Sequence, residues 1–349
     1  MLVFLKTNPI TPINNKSLSF KNNSYNRSDE IKNDVFIKQP TPETKNTEAD
    51  IFEVLSSIKN SSQNREYAKL LRAKGEKLAD KYFDNIKSIL PDEILNNQNE
   101  TLLLKRIKNE KSIWNKLNKI SKTTKIDSYE KADREIKDLI GVRLVLNGSD
   151  KEINTIVDSI VTAIKSDKIT ITEINNYAPE NSKPYLSDKQ ISKIVKASKD
   201  KGIETKVLTG KDGIKVSGYT AAQFNFGEYG EFQIMGTECF KTFLLEHQLY
   251  DLYSKKDITY GIKSLEDLYS PIKESLKKMS PDDIALFRKY TTEYYRYSRC
   301  LELNKPTSKP EFPKKFNPIL DFENLEKVYS EATKIKDNII KKIIEDEIV

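Results

Sequence analysis

Residues 215–236, KVSGYTAAQFNFGEYGEFQIMG, decide the fold. Two alternating runs flank a turn bounded by Gly227 and Gly230, the pattern of a β-hairpin. Successive strand side chains point to opposite faces, so Thr220, Ala222, Phe224 and Phe226 share one face and Tyr219, Ala221, Gln223 and Asn225 share the other. In the return strand Phe232 and Ile234 fall together, leaving Glu231, Gln233 and Met235 opposite. Paired through the turn, an apolar Phe/Ile face backs onto a face carrying Tyr219, Gln223, Asn225, Glu231 and Gln233. A solvated polar sheet face and the wall of a binding site both account for that pattern.

Outward from the hairpin, short β-like runs alternate with helical ones. TLLLKRI, IGVRLVL, KITITEI and GIETKVL read as strands; SIWNKLNKI, YEKADREIKDL, KEINTIVDSIVTAI and SDKQISKIVKASKDK read as helices. A loop over 209–218 precedes the hairpin, and a long helix from Glu238 to Lys255 follows it. The interleaving predicts an α/β or α+β core around one sheet. Residues 1–48, rich in Asn, Lys, Ser, Pro and Thr, read as a disordered tail, and 49–95 as a helical lead-in whose amphipathic helix ends at Pro91. The core spans 96–256, and 257–349 returns to helical periodicity, broken at NKPTSKPEFPKKFNP, as accessory helices.

Composition excludes several chemistries. The 349 residues carry 59 Lys and Arg against 52 Asp and Glu, a net charge of +7 that suits an anionic ligand but does not argue for DNA. Two cysteines, Cys239 and Cys300, form no disulfide framework, and one histidine allows no zinc-ligand spacing, so a reducing, cytoplasmic setting is expected. His247 lies in CFKTFLLEHQLYDLY with no nucleophile or acidic partner at a useful spacing, which argues against Ser-His-Asp or Cys-His chemistry and for a packing or surface role. The apolar run in MLVFLKTNPI is too short for a signal peptide, and no window approaches the roughly 18 apolar residues of a membrane span.

Three further segments carry charge in unusual places. Residues 105–125 hold eight basic residues and one acidic one. On a helix beginning near Ser112, Ser112 and Lys116 are four apart and face the same way, and strand alternation puts Arg106 and Lys108 on one face beside them. That arrangement suits phosphate oxygens at a helix N-terminus; a solvated basic face with Ser112 as N-cap is the alternative. In REIKDLIGVRLVLNG, Asp138 sits at the mouth of a hydrophobic strand and Arg143 lies inside it, where an arginine needs a partner or a ligand. The loop TGKDGIKVSG supplies glycines, Lys211 and Lys215 without the GxxxxGK[ST] pattern of a P-loop.

In this order and spacing the segments resemble the synthetase domain of the RelA/SpoT family of (p)ppGpp synthetases. RIKNEKSIWNKL matches the family's Arg-x-Lys-x(3)-Ser-x(3)-Lys block, DLIGVRLVL its Asp-Leu-x-Gly-x-Arg strand, and GYTAAQ with GEFQI its Gly-Tyr-x-Ser-x-His and Glu-x-Gln-Ile pair; LLEHQLYDLYSKK follows as in the family. The resemblance covers about residues 60–256. It implies an α+β fold with a mixed, nucleotidyltransferase-like sheet, helical extensions at both ends, and transfer of the β,γ-pyrophosphate of ATP to the 3′-hydroxyl of GDP or GTP with Mg²⁺. It implies that Arg106, Lys108, Ser112 and Lys116 hold ATP, that Asp138 and Glu231 handle the metal with Glu231 near the 3′-hydroxyl, and that Tyr219, Lys215, Gln223 and Gln233 line the acceptor. Acceptors in toxin-like relatives include the tRNA 3′ end, and some small relatives are homo-oligomers. Gln223, Ala221, Ser217 and Met235 stand where the family has His, Ser, Asn and Arg; Gln223 still donates a hydrogen bond but carries no charge. A catalytically weakened nucleotide-binding protein is the rival that these departures raise. The family's hydrolase domain needs a His-Asp metal pair, which one histidine does not supply.

Overall fold

The computed structural model describes residues 61–97, 101–123, 135–253, 258–259 and 261–347. The tail expected over 1–48 and the helical run at Ile51 lie outside these residues. In chain order the elements are α1 (Ser61–Ile89), α2 (Asp92–Leu95), β1 (Leu102–Ile107), α3 (Glu110–Thr123), β2 (Ile140–Leu146), α4 (Asp150–Lys165), β3 (Ile171–Tyr177), α5 (Asp188–Asp200), β4 (Lys206–Leu208), β5 (Ala221–Phe226), β6 (Gly230–Gly236), α6 (Thr237–Tyr253), α7 (Lys263–Lys277), α8 (Pro281–Glu302) and α9 (Phe322–Glu347). The fold is α+β, around one open six-stranded sheet of order β1-β2-β6-β5-β3-β4. The β2–β6 and β3–β4 pairs are parallel and the other three antiparallel, so the sheet is mixed.

Register explains how the sheet buries one face. Val142, Phe232, Phe224 and Ile174 align across four strands, with Leu144, Ile234 and Ala222 in the next row of that face. These residues pack against Ile153, Ile156, Val157 and Ile160 of α4 and Ile191 and Ile194 of α5. Both helices start at a capping box, Ser149 with Glu152 and Ser187 with Gln190, which satisfies N–H groups that a helix start leaves unpaired. The hairpin pairs as parity predicts, Phe224 with Phe232 and Gln223 with Gln233, but its polar side is not solvated: Gln223, Asn225 and Gln233 are buried.

Several boundaries depart from the sequence reading. Helix α3 begins at Glu110, and Asn109 Oδ1 accepts from Ser112 N at 2.8 Å, so Asn109 and not Ser112 is the cap. Most of the helix expected over 129–139 is outside the described residues. Its last part, 135–139, is turn, because Lys108 N already bonds Leu139 O and draws the chain into the β1–β2 ladder. The strand expected over 202–208 shrinks to Lys206–Leu208: Gly202, at φ +74°, ends α5, with Ile203 N bonding back to Ser198 O. β3 starts at Ile171, three residues late, since Lys168 N still bonds Ala163 O of α4.

The C-terminal helices do more than append. Leu265, Tyr269 and Ile272 of α7, Phe287 and Tyr290 of α8, and Phe322 and Leu325 of α9 form a cluster with Leu245, Leu249 and Leu252 of α6. Helix α8 is also fastened to the sheet end through the buried Arg299–Glu302 pair. Glu302 accepts from Cys239 N at 2.7 Å and Tyr185 OH at 2.8 Å, and Arg299 donates to Gly148 O at 2.9 Å. Burying two charges is tolerable only with partners for both, and these supply them. No helix among the described residues is long and apolar enough to cross a membrane.

Candidate functional site

The face of the sheet opposite α4 and α5 carries two polar rows. Arg106, Gly141, Glu231, Asn225 and Glu173 align across β1, β2, β6, β5 and β3. Two residues along, Leu104, Arg143, Gln233, Gln223 and Asn175 align likewise. Gly141, which has no side chain, separates Arg106 from Glu231 in the first row; a Cβ there would make only ordinary contact, 3.8 Å from the Arg106 side chain. A face this polar is costly to bury without partners. Asn175 Oδ1 nevertheless has no hydrogen bond within the described structure, as expected of a wall that meets a ligand.

One end of this face is cationic. Asp138, just before β2, accepts from Lys108 on one carboxylate oxygen and from Lys116 Nζ at 2.7 Å on the other. Burial opposes ionisation of Asp138, but the two ammoniums overcome it and hold its pKa well below the usual carboxylate range. Lys108 is itself lowered by burial against the pull of Asp138. The strand alternation expected to deliver Arg106 and Lys108 together is only partly kept. β1 ends at Ile107, and Lys108 turns to Asp138, while Arg106 stays exposed above Gly141. Ser112 occupies the first turn of α3, one turn before Lys116.

Glu231 lies at the centre. Burial raises its pKa, the negative charge of Asp138 raises it further, and Arg106 and Lys108 act against both. Gln233 Nε2 donates to Glu231 Oε1, and Gln233 Oε1 accepts from Arg143 Nε at 2.8 Å, so one amide links the guanidinium to the carboxylate. The arginine inside β2 is thus held by a neutral amide and by the Phe243 ring, 4.2 Å from its guanidinium carbon; among the described residues it makes no ion pair of the kind the sequence allowed. Lys137 reaches Glu173 across the same face at 3.8 Å.

The opposite end is aromatic. Tyr219 packs against Tyr177, Phe243 and Tyr295 with ring centres 5.8–6.3 Å apart, and Gln223 Nε2 donates to its hydroxyl at 3.4 Å. Burial raises the Tyr219 pKa, and Tyr177 is pushed up to about 12 by burial with Glu231 nearby, so both rings stay neutral. Lys215 Nζ sits 4.2 Å over the Tyr177 ring. Gly218, at φ +80°, brings the chain against α8; a Cβ there would lie 2.5 Å from Thr292 Cα. Thr291 Oγ1 donates to Ser217 O at 3.0 Å, so α8 fixes the segment that presents Tyr219. Met235 is buried in the core.

Of the residues singled out in the sequence, Arg106, Lys108, Lys116, Asp138, Glu231 and Gln233 lie around one sheet face, with Lys215, Tyr219 and Gln223 at its far end. It passed over Tyr177, Phe243 and the α8 residues, whose approach depends on packing between distant segments. His247 has an acidic neighbour after all: Nδ1 is 3.2 Å from Asp251 Oδ2, one turn on, and its ring packs on Phe243. Compared with models of known protein families the chain matches none, and a search of curated proteins returns no match.

Proposed function

We propose that this chain is a RelA/SpoT-type pyrophosphotransferase on a nucleotidyltransferase-like sheet, working in the cytoplasm and moving the β,γ-pyrophosphate of ATP to the 3′-hydroxyl of GDP or GTP. The observation that carries the reading is the convergence of Lys108 and Lys116 on Asp138, within electrostatic reach of Glu231. Lysines that share one carboxylate are placed to exchange it for phosphate oxygens. Arg106, exposed above Gly141, offers a planar cation to the adenine, and Ser112 at the start of α3 adds a hydroxyl beside the helix N-terminus.

The carboxylates of Asp138 and Glu231 would hold one hydrated Mg²⁺ once phosphate oxygens take over Lys108 and Lys116. Asp138 and Glu231 supply hard oxygens, and among the described residues no group of three or more His, Cys, Asp or Glu forms an all-protein cage. A small divalent ion takes its remaining ligands from water and phosphate. Bound there, it would offset the charge of the transferring phosphoryl oxygens. Glu231 accepts the proton of the 3′-hydroxyl, and the resulting oxygen attacks the β-phosphorus. The bond from the β-phosphorus to the α,β-bridging oxygen breaks, and AMP leaves. A carboxylate with a raised pKa is the better base for this step, and Gln233 orients it. Positioning and electrostatics supply the rest of the rate. Tyr219 gives the acceptor base an aromatic face, with Lys215 and Gln223 beside it.

Purified protein incubated with γ-labelled ATP, Mg²⁺ and GDP, GTP, AMP or deacylated tRNA tests the reading. A labelled guanosine product supports it; label on tRNA moves the assignment to an RNA acceptor; nucleotide binding without any labelled acceptor leaves a binding protein.

A further inference from the structure

A cavity of about 460 Å³ opens beside Tyr219, between the loop before β5 and helices α6, α7 and α8. Its volume lies in the range that holds a nucleoside-sized ligand. Leu249, Leu276, Ile284 and Phe287 give it apolar walls, and Tyr219 gives it an aromatic one. One acidic side chain lines it. The Glu246 carboxylate is half-buried and makes no hydrogen bond or ion pair with any described residue; its electrostatic neighbours are His247 and Asp251 on its own helix and the Tyr295 hydroxyl on α8. From neighbouring elements, the exposed cations Lys215 and Arg288 line the same cavity. Behind it, the buried Tyr295 hydroxyl also lacks a hydrogen-bond partner in the described structure.

An ionised carboxylate is an acceptor with two oxygens and no donor. Left unpaired in an apolar cavity, it calls for a ligand that presents N–H donors and an otherwise flat, apolar body. The six-membered ring of guanine offers N1–H and N2–H side by side, matched to both oxygens. Adenine offers one N–H beside a lone pair that a carboxylate repels. Cations lining the cavity suit the phosphates of such a ligand. We propose that Glu246 is the base-selecting residue of the acceptor site, accepting N1–H and N2–H of guanine in a cavity that α7 and α8 complete. This deepens the transferase reading and rests on it for the role of the bound nucleotide. It also gives base recognition a route that does not use position 217, where the sequence has Ser.

The test is equilibrium binding to the full chain with the donor site filled by α,β-methylene-ATP. The probes are GDP, IDP, which lacks the 2-amino group, XDP, which carries a carbonyl there, and ADP. Wild type is expected to bind GDP about tenfold more tightly than IDP, the loss of one charge-assisted hydrogen bond, and more tightly still than ADP. Glu246→Gln, an isosteric change, is expected to lose at least tenfold for GDP and to gain for XDP, whose carbonyl can accept from the new amide. Equal binding of GDP and IDP by wild type, unchanged GDP binding by Glu246→Gln, or no diphosphate binding at all overturns the inference. The IDP comparison needs no substitution, so it stands even if the variant folds poorly. GDP binding with this base dependence but without transfer would overturn the transferase reading and leave Glu246 assigned. Transfer to GDP that is indifferent to Glu246→Gln would do the reverse.

Discussion

Arg106 and Glu231 occupy one row of the sheet, one on each side of Gly141, so the guanidinium and the carboxylate act on each other across a position with no side chain. The cationic end of the face and its central carboxylate thereby belong to one site. Gly141→Ala should be accommodated, because the nearest atom to an added Cβ is at 3.8 Å, with stability changed by less than about 1 kcal/mol in denaturant titrations. Gly141→Leu fills the gap and should raise the KM for ATP at least tenfold, by about 1.4 kcal/mol or more of lost binding.

Glu231→Gln keeps the shape of the side chain and removes the base. We expect kcat for transfer to fall by about 10²–10⁴-fold, with ATP affinity retained within a few fold. Comparable losses in kcat and in ATP binding would instead place Glu231 in ground-state binding.

The titration of Glu231 checks its coupling to Asp138. Burial and the Asp138 charge both raise its pKa, so a carboxyl-carbon NMR titration should put it above the ordinary carboxylate value. In Asp138→Asn the anion is gone and Lys108 is no longer neutralised, so the Glu231 pKa should drop. Since the base must be ionised, activity should disappear as pH falls through the raised value.

Asp138 carries the opposite sign for stability. Its folded pKa is depressed, so the stabilisation it brings is complete above the unfolded carboxylate pKa of about 4 and is lost as pH falls through the folded value. Asp138→Asn should lower stability at pH 7 by about 1–3 kcal/mol, discounted for partial exposure, and flatten the acid limb of a stability–pH profile.

Gly218 fixes where Tyr219 stands. With φ at +80° and α8 backbone 2.5 Å from any Cβ, Gly218→Ala should cost about 2–4 kcal/mol in thermal or chemical unfolding and raise the KM of the acceptor. Gly236→Ala, whose Cβ would meet the Glu302 carboxyl at 2.2 Å, should destabilise to a similar degree without a specific effect on acceptor binding.

Much of this was legible in the residues because strand parity is a local rule. Phe224 with Phe232 and Gln223 with Gln233 follow from the hairpin alone. What parity does not tell is what covers a face, and so the buried state of Gln223 and Gln233 was not readable. The parallel β2–β6 pairing, which sets Gly141 beside Glu231, joins segments about 90 residues apart and leaves no periodic trace. The same holds for Arg299 and Glu302: in sequence they look like an exposed helical pair three residues apart, and only the arrival of Tyr185, Gly148 and Cys239 shows why they are buried. Short polar segments were misjudged where a cap decided them, as at Asn109 and Gly202.

In the proposed reaction Glu231 and the Asp138 cluster move two phosphoryl groups as one unit. Phosphorus NMR of a reaction with ATP, Mg²⁺ and GDP tests it directly. One AMP should be released for each new 3′-pyrophosphate ester on guanosine, with both products formed about 10²–10⁴-fold more slowly by Glu231→Gln. Release of ADP in place of AMP, or no guanosine product from folded wild-type protein, would contradict it.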